Sequence, residues 1–346
     1  MTSKRILYLD VLNIIAIISV IALHCNGIVH KYHTENSWAQ SLVVETVFFF
    51  AVPLFLMISG ANLLGYISKY DTQTFFKKRF AKVLYPAIFW ICIAFIWRIF
   101  ILKAISLENV GIVEFINMVF INKEMPIYYF IWWILGLYLT IPILTHLTTD
   151  AKYQSVLWYA VGIFFIFNAL IPNLLKLVGI NWNNSFSLQM GGVVIYAILG
   201  YLLAVSNISK KLRYIIYALA IFAIIYRYSF TYFQSKEAGK VITITWGYFQ
   251  FHVFFLTSAI FLFVKNMNLE KLQNNARITK ILANIANCSF GVYLCHMIIV
   301  HYELSIFGID EYSLQWRTIG IITTYIISLA LVYLLKQIPF IRRVVA

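Results

Sequence analysis

Apolar runs of about 20 residues, separated by short polar stretches, recur along the whole chain; that length of helix crosses the hydrocarbon core of a bilayer. On this pattern ten spans are predicted, at 6–28, 41–66, 83–103, 127–147, 155–173, 190–205, 212–229, 244–264, 280–301 and 316–336. The sixth is short and carries Gly191, Gly192 and Gly200, which predicts a thin or tightly packed helix. Long unbroken runs do not fit the alternating pattern of a membrane β-barrel. The expected fold is therefore all-α, a polytopic membrane bundle of about ten transmembrane helices. No soluble region, low-complexity tract or sequence repeat interrupts the pattern, so one integral domain over 1–346 is expected. The apolar stretch after Arg5 exceeds a secretory h-region and has no small-x-small cleavage site, so it reads as a retained first helix.

Polar residues inside these runs carry the next information. The first span holds Asp10, Asn13 and His24. Ionisable groups within a span face a bundle interior or a wet cavity. Asn13 and His24 are eleven positions apart; at about 100° per residue they return to nearly the same helix face, about 16 Å further along. His24, Glu45, Arg98, His252 and His296 fall near the same ends of five different spans. Together they predict a polar cavity in one half of the bundle. The structural alternative pairs Glu45 with Arg98 and leaves each histidine bonded to a helix neighbour.

Charge sets the orientation. With the N-terminus in the cytoplasm, eighteen of the 27 basic residues lie on the inner side, from Lys4 and Arg5 through Lys77, Lys78, Arg79 and Lys82 to Arg342 and Arg343. The outer loops keep about eight basic residues, beside the acidic Glu35, Glu108, Glu114, Glu124, Glu237, Glu303, Asp310 and Glu311. Both termini are expected inside. The net charge of +14 is then a topology signal, and no basic block sits in a soluble region where it would bind nucleic acid. Composition agrees: 62% hydrophobic and 12% charged is far from a soluble domain's balance. Cys25, Cys92, Cys288 and Cys295 all fall within spans, without zinc-ligand spacing, and no metal is expected.

Arg79 and Lys82 are at i and i+3, so on a helix they project together and can hold a polyphosphate or a diphosphate-linked lipid. A basic cluster beside a span also follows from positive-inside bias alone. Asp10, a turn from Asn13, is expected to orient Asn13 or a nearby lysine, or else to sit at the helix start for the dipole.

Six stretches, LDVLNIIAIISVIALHCNG, FFFAVPLFLMISGANLLG, FFKKRFAKVLYPAIFW, WWILGLYLTIPIL, MGGVVIYAILGYLL and SFGVYLCHMII, in this order, resemble the acyltransferase-3 family of integral membrane acyltransferases. LDVLNIIAIISVIALHCNG is similar to the family's first helix, in which a basic residue and a histidine are separated by ten positions. FFFAVPLFLMISGANLLG, with Ser59-Gly60, resembles its second helix, and FFKKRFAKVLYPAIFW its basic entry to the third. WWILGLYLTIPIL, MGGVVIYAILGYLL and SFGVYLCHMII follow in the family's order. The short branch that modifies polysaccharides, including biofilm-polysaccharide and enterobacterial-common-antigen acyltransferases, is the nearest likeness. Departures are Asn13 in place of the basic residue, Lys82 in place of an arginine, and Tyr128, Tyr129 and Phe130 where a histidine is often found.

The resemblance implies transfer of a small acyl group, acetyl before succinyl, from cytoplasmic acyl-coenzyme A to a hydroxyl of an extracytoplasmic glycan. It further implies residence in a bacterial plasma membrane. His24 becomes the expected base or acyl carrier, with His296 and Glu45 as further candidates at the catalytic end. Asn13, Arg79, Lys82, Asp10 and Ser59 are the candidates for holding the donor. The competing reading is a transporter or exporter of a glycan or small solute, which would share a polar cavity. The absence of a repeat weighs against it, as does the scarcity of mid-span breakers beyond Pro53 and Pro142. A sensor or scaffold would not need ionisable residues at matched depth.

Overall fold

The computed structural model describes residues 5–106, 110–121, 125–183 and 185–346. Lys4, Glu108, Glu124 and Asn184 lie outside the described residues. The described secondary structure is helical throughout. Among the described residues, eight helical stretches are long and apolar enough to cross a membrane, and three shorter apolar helices accompany them. Ten of these eleven coincide with the predicted spans. The eleventh, α5 (Ile112–Ile121), was not predicted as a span; it lies between the third and fourth.

The first span is α1 (Leu7–His24). The second is broken into α2 (Asn36–Phe48) and α3 (Ala51–Leu63). The break falls at Phe49 and Phe50, just ahead of Pro53, whose ring and missing N–H cannot continue a helical ladder to Phe49. α4 (Thr72–Phe100) begins eleven residues before the predicted third span, so Arg79 and Lys82 are helical. Asp71 starts it, accepting from Thr74 N at 2.8 Å and Thr74 Oγ1 at 2.9 Å. These bonds hold its carboxyl below the usual range.

α6 (Tyr129–Leu144) returns across the bundle, and α7 (Gln154–Phe164) and α8 (Ile171–Leu177) form one crossing joined by a π-turn. α9 (Gly192–Val205) is the short sixth span. It is tightly packed, as its glycines predicted. A Cβ on Gly200 would strike the backbone of Met57 on α3, and one on Gly60 would strike the backbone of Ala197 on α9. Two glycines, one from each helix, thus permit a backbone-to-backbone crossing, the packing mode available where lipid offers no hydrophobic drive between helices.

α10 (Lys210–Ala238) and α11 (Phe251–Lys265) follow, then α12 (Glu270–Gln273), α13 (Ala276–Phe307) and α14 (Ile321–Leu335). The predicted eighth span, 244–264, is corrected here: its first residues are not helical, and α11 starts at Phe251. Irregular backbone at such a place needs partners from the protein. Arg227 supplies one, donating Nε–H to Thr245 O at 3.2 Å; Thr231 pairs with Thr245 Oγ1 at 2.7 Å, and Tyr196 OH donates to Tyr248 O at 2.7 Å.

α1 and α13 pack side by side. Asn13 Nδ2 donates to Ala286 O at 3.1 Å, and further along His24 meets His296. Numbering rises together on both helices, so they run parallel. An odd number of crossings must separate two parallel spans, and the seven intervening predicted spans satisfy this.

Candidate functional site

Between α1, α3, α4, α6 and α13 lies a cavity of about 570 Å³. Its lining includes Asp10 and Asn13 from α1, Ser59 and Asn62 from α3, Arg79 and Lys82 from α4, Tyr138 from α6, and Ser289 and Tyr293 from α13. All five residues expected from the sequence to hold a donor therefore share one wall. Distances along the chain had left this open: helix packing brings positions 10, 13, 59, 79 and 82 around a common space.

The cavity is graded. Arg5, Lys69, Arg79 and Lys82 crowd one end, and Phe55, Phe130 and Tyr293 line it elsewhere. Arg79 Nη2 donates to Tyr70 OH at 3.2 Å, and Lys78 Nζ lies 4.4 Å from the Tyr70 ring centroid. Ser59 donates its hydroxyl proton to Phe55 O on its own helix at 2.9 Å, which leaves its oxygen as an acceptor.

Asp10 departs from expectation. Its partner is neither Asn13 nor a lysine but Arg5, which reaches its two carboxylate oxygens at 2.6 and 2.7 Å. The same guanidinium donates to Ala283 O and Asn287 Oδ1, both at 3.1 Å, tying the start of α1 to α13. Arg5 was read from the sequence only as an orientation signal. Its five-residue spacing from Asp10 gave no helical-pair signature, because Arg5 precedes the helix and folds back onto it.

Beyond Tyr293 stands the histidine pair. Tyr293 and His296 have ring centroids 6.0 Å apart, and His24 and His296 have theirs 5.1 Å apart with planes tilted by 48°. His24 is half-buried, whereas His296 is fully enclosed. Ser289, Tyr293 and His296 follow at i, i+4 and i+7, so one stripe of α13 leads from the cavity wall to the pair. Tyr128 stands across from it, its hydroxyl donating to Leu294 O at 2.9 Å.

The acyltransferase-3 profile, described as an acyltransferase domain, matches residues 6–335. The chain belongs to the acyltransferase-3 family. No curated protein and no solved structure matches it.

Membership makes the protein a membrane-bound acyltransferase and sets aside the transporter reading. Within this acyltransferase, Glu45 is held in a buried pair. Its carboxylate is paired with Arg227, Oε1 to Nη2 at 3.3 Å, and Arg227 Nη1 also donates to Glu45 O at 2.9 Å. The Arg227 carbon lies 3.6 Å from the Phe49 ring centroid. The Glu45–Arg98 pairing considered from the sequence is thus replaced by Glu45–Arg227. Arg227 escaped notice because it lies at a span boundary, where a positive residue needs no special reason. His252 belongs to the same group. Its Nε2–H donates to Thr245 O at 3.1 Å, so it helps anchor the irregular segment before α11. No three His, Cys, Asp or Glu side chains among the described residues converge as a metal ligand set.

Proposed function

We propose that this acyltransferase takes its acyl group from acyl-coenzyme A at the cytoplasmic side and transfers it to a hydroxyl of an extracytoplasmic glycan. Acetyl is the expected group and succinyl the next. One observation carries the reading: a cavity with Arg5, Lys69, Arg79 and Lys82 at one end has Tyr293 of α13 in its wall, and the His24–His296 pair stands one helical turn beyond that residue. The donor has matching parts, namely a cluster of phosphates, a long uncharged arm and a thioester at its tip. Arg79 and Lys82 would hold the phosphates by charge-assisted hydrogen bonds. Asn13, Ser59 and Tyr138 would flank the arm. Asp10 serves indirectly, by fixing Arg5.

In the proposed reaction the acceptor oxygen attacks the thioester carbonyl. A carbon–oxygen bond forms and the carbon–sulfur bond breaks. His24 takes the hydroxyl proton, which then passes to the departing sulfur. A two-step variant has the acyl group rest on His24 before the hydroxyl takes it. The reading places both termini in the cytoplasm, treats 1–346 as one catalytic domain, and locates the protein in a bacterial plasma membrane. Positive-inside asymmetry supports the orientation.

The test is incubation of purified protein with radiolabelled acetyl- and succinyl-coenzyme A together with cell-envelope glycan. Release of free coenzyme A with label in the glycan supports the reading. Label that stays on the donor with every acceptor fraction, in protein that is folded and monodisperse, rejects it.

A further inference from the structure

His296 has one nitrogen committed and one free. Its Nδ1 lies 2.7 Å from Tyr293 O and 3.2 Å from Val292 O. Both partners are carbonyl oxygens, which only accept, so Nδ1 carries the proton. The other nitrogen, Nε2, is buried and finds no hydrogen-bond partner among the described residues. A doubly protonated ring would leave an unpaired N–H and a charge enclosed at this place, a costly arrangement. The neutral ring with a bare Nε2 is therefore the form the site dictates. The ring beside it is His24, at 5.1 Å between centroids and without a hydrogen bond to it in this structure, close enough for the two nitrogens to bond once the His24 ring turns toward Nε2.

We infer that His296 is a positioning residue for His24: a turn of the His24 ring lets Nε2 accept its N–H, which holds His24 in the tautomer whose bare nitrogen faces the acceptor hydroxyl. The inference rests on the proposed function for its chemical meaning. The burial order fits: His24 keeps part of its surface open, and His296 is sealed behind it. A neutral base backed by a fixed acceptor is the arrangement by which enzymes orient an imidazole and stabilise the imidazolium that forms during proton transfer. Here the acceptor is a second imidazole, and its own tautomer is set by the α13 backbone. His252 offers a contrast. It bonds a carbonyl through Nε2, and its Nδ1 is the nitrogen left without a partner.

The experiment uses the full chain in lipid nanodiscs with ¹⁵N-labelled histidine. Nitrogen resonances separate N–H from bare ring nitrogens. His296→Gln should delete one Nδ1–H and bare-Nε2 pair from the spectrum of the seven histidines. His24→Gln should leave that pair in place and shift its bare Nε2. In the kinetic arm, cleavage of acetyl-coenzyme A by water as acceptor is followed through thiol release. His296→Gln should lower kcat on the order of a hundredfold, with KM for acetyl-coenzyme A unchanged. Deletion of an Nε2–H pair, or of a doubly protonated ring, overturns the inference. So does a wild-type kcat in His296→Gln. If wild-type protein neither binds nor cleaves acetyl-coenzyme A, the proposed function fails, and the spectra still decide the tautomer.

Discussion

Asn13 Nδ2 donates to Ala286 O at 3.1 Å, and this contact ties α1 to the α13 stripe that continues to His296. The residue that replaces the family's basic position is thus used to fasten two helices. Positive charge at the cavity is instead furnished by Arg5, Lys69, Arg79 and Lys82. The amide is suited to this, since it donates to a carbonyl without burying a charge.

His24→Ala and His24→Gln should both abolish transfer while the protein inserts and purifies normally. Gln keeps a hydrogen-bonding group but cannot titrate, and loss of a general base costs about a hundred- to ten-thousandfold in rate. Single-turnover transfer from acetyl-coenzyme A is the measurement. Near-normal turnover in His24→Gln would reduce His24 to a structural role.

Arg79→Ala should raise the KM for acyl-coenzyme A about ten- to a hundredfold, because a charge-assisted contact to phosphate contributes about 1.5–3 kcal/mol. Acceptor use should change little. Arg79→Lys should recover part of the loss, keeping charge without the fork. An unchanged donor KM in Arg79→Ala would leave the cluster as a topology signal only.

Single cysteines introduced in the 29–40 and 302–315 loops should react with impermeant maleimide added outside intact cells. Lys31 and Glu311, 3.3 Å apart, join these two loops and place them at the same end of the bundle. Protection of both from the outside reagent would invert the orientation and the proposed path of the acyl group.

Gly60→Leu and Gly200→Leu should each destabilise the folded protein strongly, since the added side chain meets backbone and not a movable side chain. Overpacking typically costs about 1–3 kcal/mol where neighbours can shift, and here they cannot. Thermal unfolding in detergent would report it. A wild-type Tm in both variants would mean that α3 and α9 are not held at this crossing.

Arg227→Met should cost about 3–5 kcal/mol by leaving the buried Glu45 carboxylate without its partner, as for other broken buried pairs. Glu45→Gln combined with Arg227→Met should recover part of that loss. Additive effects of the two changes would show that the pair is not coupled.

Length and hydropathy were enough to read ten of the eleven apolar helices found among the described residues, α5 being the one missed, because a span must be apolar over a fixed distance whatever it packs against. The same physics made α1, α4 and α13 legible, and the likeness of their motifs pointed to His24, His296, Arg79 and Lys82. Sequence could not say which polar residues meet. The partner of Glu45 proved to be Arg227, 182 positions away, and that of Asp10 proved to be Arg5, five positions away and outside the helix. Such pairings depend on how helices rotate and cross, and composition does not encode that. Nor could a run of apolar residues reveal that 244–250 leaves the helix, since Arg227 and Tyr196 satisfy its backbone, and Thr231 its Thr245 hydroxyl, only once α9, α10 and α11 have assembled. The sequence by itself determined a membrane bundle and its chemical residue types. Tertiary packing decided which of them share a cavity, which are locked in structural pairs, and which nitrogen of His296 is left bare.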